Sequence, residues 1–191
     1  MSSTASATLI GGDFLSAGDG YLVTDTSTGL EWLSPVYTKN HVFNDTFVHG
    51  VITGYGFRYA TASEALNMII NNFANPPQGF PGTAAGFTDA QNFFNLFGIA
   101  EHVTCGSIAC PRTQGLTADV GTGATHLAFG MIQFGSNGWA IVNNAWLDSS
   151  HETQMGSWLV RPDPPSAPEP ASLLLLGIGL ALLGFGRRKK A

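Results

Sequence analysis

The feature that most constrains this chain is its C-terminal tail. A linker over 162–170 holds five prolines in nine residues, and an uncharged, mostly apolar run over 171–186 and a basic end over 187–191 follow it. A helix over 171–186 would be about 24 Å long, slightly short of a hydrocarbon core of about 30 Å. The flanking arginines and lysines can make up the difference, because their long side chains reach the membrane interface. A buried helix of a soluble domain fits less well, because the run is apolar on every face. We therefore predict one transmembrane helix with its basic end in the cytoplasm and residues 1–161 outside.

The same tail resembles the PEP-CTERM sorting signal of Gram-negative bacteria. Three elements carry the resemblance, in order at the terminus: Pro168-Glu169-Pro170, the short Leu/Gly-rich span, and a basic cluster that includes Arg187 and Arg188. The resemblance implies that an exosortase-type membrane enzyme processes the chain near Pro-Glu-Pro. The precursor would then lie in the inner membrane with its N-terminal domain outside. The processed protein would be at the cell surface or secreted.

The start of the chain does not show the export signal that such a protein needs. Residues 1–10 have neither a basic stretch nor an apolar one. We therefore expect the true start to lie upstream and to include a signal peptide.

Composition and charge restrict the partners of residues 1–161. Charged residues make up only 11% of the chain, and four of its eight Lys and Arg lie in the basic end. The remaining part is acidic, which argues against a nucleic-acid partner. About 160 residues are enough for one domain with a sizeable core. We predict a single extracytoplasmic α+β domain over 1–161.

Two amphipathic helices are predicted, near 62–74 and 89–97. The first begins at a capping box formed by Thr61 and Glu64, and the second at a similar box over 88–91. An apolar stripe at helical spacing follows each box and is expected to face the core. The two stripes are Leu66, Ile69, Ile70 and Phe73, and Ala90, Phe93, Phe94 and Phe97.

Short β-prone runs precede and follow the helices. They predict two hairpins and a closing strand: 21–25 with 30–33, 126–134 with 139–146, and 156–161. Gly29 suits the first turn, and an Asn-Gly step suits the second. The expected fold class is α+β, with the two helices packed on a mainly antiparallel sheet.

This order of elements resembles the Lcl-type domains often found ahead of such tails. The resemblance rests on D-x-x-T-G-L-x-W over 25–32, on residues 56–64, and on the closing Trp-Leu-Val-Arg over 158–161. It implies a C-type-lectin-like version of the α+β fold.

Cys105 and Cys110 are the only cysteines of the chain. A local disulfide is the leading interpretation, because exported chains meet an oxidising compartment. Two alternatives involve His102. The first is a metal site, for which only three ligands are evident. The second is a nucleophilic pair with Cys105, which would need a reduced thiol. We expect no metal and no cofactor.

The sequence contains no G-x-S-x-G, no H-E-x-x-H and no P-loop. We therefore expect a non-catalytic binding or structural module associated with exopolysaccharide. The alternative is an exported hydrolase that acts on envelope or matrix polysaccharide. Aromatic candidates for contacting glycan are Tyr55, Trp139, Trp146 and Trp158, and core packing is the alternative for the tryptophans. A loose set of candidate calcium ligands is Asn143, Asn144, Asp148 and Glu152.

Overall fold

The computed structural model describes residues 8–73, 84–122, 125–134, 138–147 and 155–164. These ranges contain three helices: α1 Thr46–Tyr55, α2 Ala62–Asn72 and α3 Ala84–Phe97. The strands are β1 Leu9–Gly12, β2 Leu22–Asp25, β3 Leu30–Leu33, β4 Arg58–Tyr59, β5 Glu101–Cys105, β6 Ile108–Val120, β7 Thr125–Phe134, β8 Gly138–Leu147, β9 Gly156–Ser157 and β10 Leu159–Pro162. The predicted α+β class is confirmed.

The strands form two sheets rather than the single sheet that was predicted. The first sheet has the order β1-β2-β3-β10-β4, and its recorded pairs are antiparallel. Its β2–β3 pair is the predicted first hairpin, with Gly29 at φ 65° in the turn. Strand β10 enters between β3 and β4, so Val160 lies opposite Trp32 on one side and Arg58 on the other.

The second sheet has the order β5-β6-β7-β8, and the short strand β9 pairs in parallel with β6. The predicted second hairpin is formed by β7 and β8, with Phe134 opposite Gly138. This sheet also includes the cysteine segment, for which no strand was predicted. Val103 lies opposite Cys110 there, and Gly106 takes φ 68° in the turn.

Trp158 joins the two sheets. The predicted closing strand is split at this residue, with β9 in the second sheet and β10 in the first. The Trp158 backbone N–H donates to the carbonyl of Leu116 in β6, and its carbonyl accepts from Ala60 next to β4, both at 2.8 Å. Its indole is fully buried and packs edge-on against Trp32 and Phe97. One residue therefore anchors both sheets to the same core.

Helix α2 follows the sequence closely. Thr61 and Glu64 form the predicted capping box, in which each side chain accepts a hydrogen bond from the other residue's backbone N–H. Ile69 is buried as expected, but Ile70 is 40% exposed, so its place in the buried stripe was wrong. The buried face is centred on Ala65, Met68 and Ile69. One residue further along the helix turns the side chain by about 100°, which takes it out of the core.

Helix α3 begins at Ala84, before the predicted start. Thr88 is therefore inside the helix, and the predicted capping box at 88–91 was wrong. The apolar stripe itself is confirmed, because its members are all buried: Ala90, Phe93, Phe94 and Phe97. They belong to one core cluster with Val23, Trp32 and Val160 of the first sheet and with Trp158.

Helix α1 was not predicted. The Asp45 side chain caps it by accepting from the Val48 N–H, and Gly56 ends it at φ 71°, in the left-handed region. Val48 and Val51, one turn apart, are its buried residues. They join Leu33 and Leu159 in a second core cluster on the other face of the first sheet.

Candidate functional site

The residues of the predicted sorting signal lie outside the described ranges, as does the predicted membrane span over 171–186. They are Pro168, Glu169, Pro170, Arg187 and Arg188. Across the residues that the structure does describe, no helix combines the length and apolarity needed to cross a membrane.

Cys105 and Cys110 lie at disulfide distance, with Cα atoms 6.0 Å apart across the β5–β6 hairpin. His102 is exposed on β5, three residues before Cys105. Side chains alternate between the faces of a strand, so His102 and Cys105 lie on opposite faces. The structure therefore does not bring together the metal site or the nucleophilic pair that the sequence left open.

The other sequence candidates divide between core and surface. Trp158 is fully buried, so it fills the core and is not a glycan contact. Tyr55 is 43% exposed at the end of α1. The side chains of Trp139, Trp146, Asn143 and Asn144 lie outside the described parts of the structure, as do residues 148 and 152 altogether.

Tyr55 belongs to a row of aromatic rings, each in contact with the next, which we call the aromatic row. The order is Tyr55, Phe14, Tyr37, Phe47 and His41, with successive ring centroids 4.8, 5.2, 5.6 and 4.1 Å apart. Tyr21 packs beside Tyr37. Phe47 is 39% exposed, while Phe14, Tyr37 and His41 are half-buried. The row therefore presents aromatic surface to solvent.

Two aspartates build the loop that positions Phe14 in the row. The Asp19 carboxylate accepts the backbone N–H groups of Phe14, Leu15 and Ser16, each at 2.8 Å. Asp13 accepts those of Gly18 and Gly20 across the same loop. The bond from Phe14 is the largest cause that lowers the pKa of Asp19 to about 2. The ionised carboxylate thus holds the loop in one conformation around neutral pH.

Asp45 organises the other end of the row. While it caps α1, its second oxygen contacts Nδ1 of His41 at 2.7 Å. Its burial acts to raise the pKa of Asp45, but the hydrogen bonds from Val48 and His41 outweigh that effect and lower it. Held in this way, the His41 ring stacks on Phe47 at an interplanar angle of 13°.

Arg161 contacts both Phe14 and Tyr55 of the aromatic row. Its guanidinium lies 4.5 Å from the centroid of Phe57 and 6.0 Å from that of Phe14. It also pairs with Glu31 at 2.6 Å and donates to the carbonyl of Tyr55 at 3.0 Å. Strand β10 and the C-terminal end of α1 are thereby fixed relative to each other.

The aromatic row also includes polar groups. Burial is the main cause that raises the pKa of Tyr37, with Tyr55 and Asp19 adding to it, so this hydroxyl stays protonated and can donate. Over the described ranges, no cluster of three or more His, Cys, Asp or Glu side chains could hold a metal ion. The row offers aromatic faces, hydroxyl groups and one imidazole.

Sequence reasoning found Tyr55 but missed the other rings. Phe14 comes from the 13–20 loop, whereas Tyr37, His41 and Phe47 are close together in sequence, between the end of β3 and the first turn of α1. Their spacing alone does not show that the rings contact one another or Phe14. The clearest available signal was local, in the pair of aspartates in the turn-forming 13–20 loop.

The described fold and the terminal segment together indicate a protein with a folded α+β part and a C-terminal targeting segment. Residues 166–190 match the family model for the PEP-CTERM protein-sorting motif. The chain therefore carries this motif, which indicates an exported protein that an exosortase recognises and processes, with a membrane-anchored precursor and a product at the cell surface or outside it. No curated protein and no solved structure matched the chain, so the predicted Lcl-type and C-type-lectin-like resemblance stays a prediction.

Proposed function

We propose that this chain is a non-catalytic, surface-displayed module that binds exopolysaccharide through the aromatic row. The sorting motif supports delivery to the cell surface, where such polymers accumulate. The observation that carries the binding proposal is the unbroken row of rings from Tyr55 to His41, with exposed rings at Tyr55 and Phe47.

The chemistry of the row suits sugar rings. A pyranose presents C–H groups on its faces, which pack on aromatic rings, and hydroxyls around its rim. Tyrosine supplies both an apolar ring and a polar group at its tip. Tyr21, Tyr37 and Tyr55 place hydroxyls along the row, and His41 adds ring nitrogens. Successive ring contacts favour a ligand that extends along the surface, as a polysaccharide chain does.

The site is also preorganised, which reduces the entropy lost on binding. Phe14 is held by the Asp19 loop, and Phe47 by His41 and Asp45. When a ligand packs on this row, the protein loops that carry the rings are already ordered.

The test measures retention of the protein in gels that contain the exopolysaccharide of the producing organism. A Phe47→Ala, Tyr55→Ala double variant should bind about tenfold to thirtyfold more weakly, since each stacked ring contributes on the order of 1 kcal/mol. The matched control removes two exposed aliphatic side chains elsewhere, Ile70→Ala and Ile108→Ala, which are 40% and 44% exposed. This control should bind like the unmodified protein.

The same incubation separates binding from hydrolysis. Retention of the protein with an unchanged polymer length supports the binding module. Release of new reducing ends would instead support the alternative, an exported hydrolase. If the double variant and its control bind equally well, the aromatic row is not the site.

A further inference from the structure

Most cations of the folded part are used in ion pairs. Before the sorting motif the chain has four Lys and Arg, and all four lie in described ranges. The fourth of them, beside three arginines, is Lys39. An anionic ligand would compete with a glutamate for every arginine of the folded part. The pairs are Arg58 with Glu64, Arg112 with Glu101, and Arg161 with Glu31.

The 13–20 loop places an exposed carboxylate beside the aromatic row. Asp13 directly precedes Phe14, whose ring centroid lies 4.8 Å from that of Tyr55. Each Asp13 oxygen accepts one backbone N–H of the loop. An ionised carboxylate has about four acceptor positions, so Asp13 keeps about two of them for a ligand. The loop therefore offers a negative charge next to the rings that are proposed to pack against a sugar.

Asp19 of the same loop adds a charge that acts on the row. Burial is the main cause that raises the pKa of Tyr37, and the negative charge of Asp19 adds to it. The field that opposes loss of the Tyr37 proton attracts a cation to the same place. Beside His41, at the other end of the row, Asp45 contributes a third carboxylate.

The rings themselves favour a cation, because the face of an aromatic ring carries a partial negative charge. The structure contains one such contact, in which the Arg161 guanidinium lies 6.0 Å from the centroid of Phe14. Glu31 pairs with Arg161 at 2.6 Å, so this guanidinium adds no net charge to the row. Lys39, two residues after Tyr37, is outnumbered by the three carboxylates. The charge around the row is therefore negative.

We infer that the exopolysaccharide recognised by the aromatic row carries cationic amino groups, and that Asp13 pairs with one of them. This inference rests on the proposed function, since it assigns a ligand charge to the same site. A sugar that packs on Tyr55 lies beside the 13–20 loop, so an ammonium group on that sugar would be close to both a carboxylate and aromatic faces. Uronate or sulfated units would instead bring negative charge against Asp13, Asp19 and Asp45.

The test uses the full chain and three β-1,4-linked pentamers that share one backbone and differ in charge. Their units are N-trimethylated glucosamine, N-acetylglucosamine and glucuronate, whose charges are fixed at pH 7. Titration calorimetry gives each Kd. The cationic pentamer should bind about threefold more tightly than the neutral one, as expected for one exposed ion pair, and the anionic pentamer more weakly than both. High salt should reduce the preference.

Two matched variants show whether the preference comes from the loop. Asp13→Asn should bring the affinities for the cationic and neutral pentamers close together. A disturbed loop alone would weaken the binding of both pentamers, so the ratio of the two affinities reports the charge. Asp163→Asn removes an equal charge just beyond Pro162, at the opposite end of the first sheet from the 13–20 loop, and should keep the ratio.

The Phe47→Ala, Tyr55→Ala variant separates this inference from the proposed function. If that variant binds the neutral pentamer as well as the unmodified protein does, or if no pentamer binds at all, the proposed function and the inference both fail. The inference alone fails if the rings are needed but the unmodified protein prefers the neutral or the anionic pentamer, or binds all three equally. An unchanged ratio in Asp13→Asn would also overturn it.

Discussion

Gly156 faces the carbonyl oxygen of Pro35 so closely that a Cβ added to Gly156 would lie 1.9 Å from that oxygen. Neither side of this contact can move easily. Gly156 lies in β9, which is paired with β6, and the obstacle is the Pro35 backbone rather than a flexible side chain. The next residue, Ser157, donates its N–H to the buried Thr38 hydroxyl at 2.7 Å. The segment after β3 is thereby attached to the second sheet.

A Gly156→Ala substitution should therefore lower the free energy of unfolding by at least about 2 kcal/mol, because the clash can be relieved only by moving backbone. Urea denaturation measures it. Gly54→Ala is the matched control: it lies inside α1, where the added Cβ meets nothing within 4 Å. That substitution should stabilise the protein by about 0.5–1 kcal/mol. Equal stabilities of the two variants would contradict the close contact.

The Asp19 loop should lose its order in acid. The folded-state pKa of Asp19 is lowered to about 2 from 3.8. A carboxylate with a lowered folded pKa contributes stability above its unfolded pKa and loses that contribution as the pH falls through the folded value. The protection factors of the Phe14, Leu15 and Ser16 amides, which correct exchange rates for their intrinsic dependence on pH, should stay high above about pH 4 and fall between about pH 4 and 2.

Asp19→Asn should accelerate exchange at these three amides even at pH 7, since an amide side chain has one acceptor oxygen instead of two. Asp163→Asn changes an exposed carboxylate outside the loop and is the control. Protection that is the same in both variants would show that Asp19 does not hold the loop.

The capping box of α2 should be sensitive to loss of the Glu64 charge. The hydrogen bond from Arg58 is the largest cause that lowers the pKa of Glu64 to about 2, and the Thr61 N–H also lowers it. Glu64→Gln should keep the hydrogen bonds of the box, since glutamine also completes one, but it loses the ion pair with the half-exposed Arg58 and should reduce stability at pH 7 by about 0.5–1 kcal/mol. The difference between the variant and the unmodified protein should shrink as the pH falls from about 4.5 towards 2, where Glu64 itself becomes protonated. Ser63→Gln, exposed in the same turn, is the control, and a pH-independent difference would contradict this assignment.

The Cys105–Cys110 pair should be oxidised in exported protein. Mass spectrometry of non-reduced protein from the cell envelope should find the two cysteines linked. Reduction should lower stability by about 2 kcal/mol in the chain-entropy model, because the closed loop is short. A double serine variant should be insensitive to reductant, which controls for effects on the rest of the fold. Free thiols in envelope material would contradict the prediction.

The sorting motif should control release from the membrane. Replacing Pro168, Glu169 and Pro170 by alanine should leave an uncleaved, membrane-bound precursor. The matched control replaces Pro164 and Pro165, which precede the matched motif, and should be processed normally. Fractionation with mass spectrometry of the C-terminus measures both. Release of the motif variant with the same trimmed end would show that Pro-Glu-Pro does not direct processing, which would contradict the sorting assignment.

Features formed by residues close together in the sequence were the ones that could be predicted. The α2 cap was predictable because Thr61 and Glu64 interact within one turn of helix, so their separation in the sequence is enough to predict the contact. The stripe of α3 was predictable for the same reason. The start of α3 was not, because the same four-residue pattern also occurs inside a helix, and Thr88 lies in such an interior position.

The aromatic row depends in part on contacts between distant segments, and these have no local signature. Phe14 meets Tyr55 where Arg161 of β10 lies near the Phe14 ring and donates to the Tyr55 carbonyl, 106 residues away in the chain. Helix α1 was not predicted because half of its residues are β-branched and two are glycines, and both kinds favour helix weakly, although its Asp45 cap and its terminal Gly56 were readable.

The position of β10 determines when the first sheet can be completed. Glu31 and Arg161 pair across this sheet although they are 130 residues apart in the chain. A chain that crosses a membrane N-terminus first must therefore deliver nearly its whole folded part before β3 gains its partner on that side. Until then one edge of β3 stays open, because pairing between distant segments forms late. If the chain is exported N-terminus first, the first sheet can therefore be completed only after β10 has crossed the membrane.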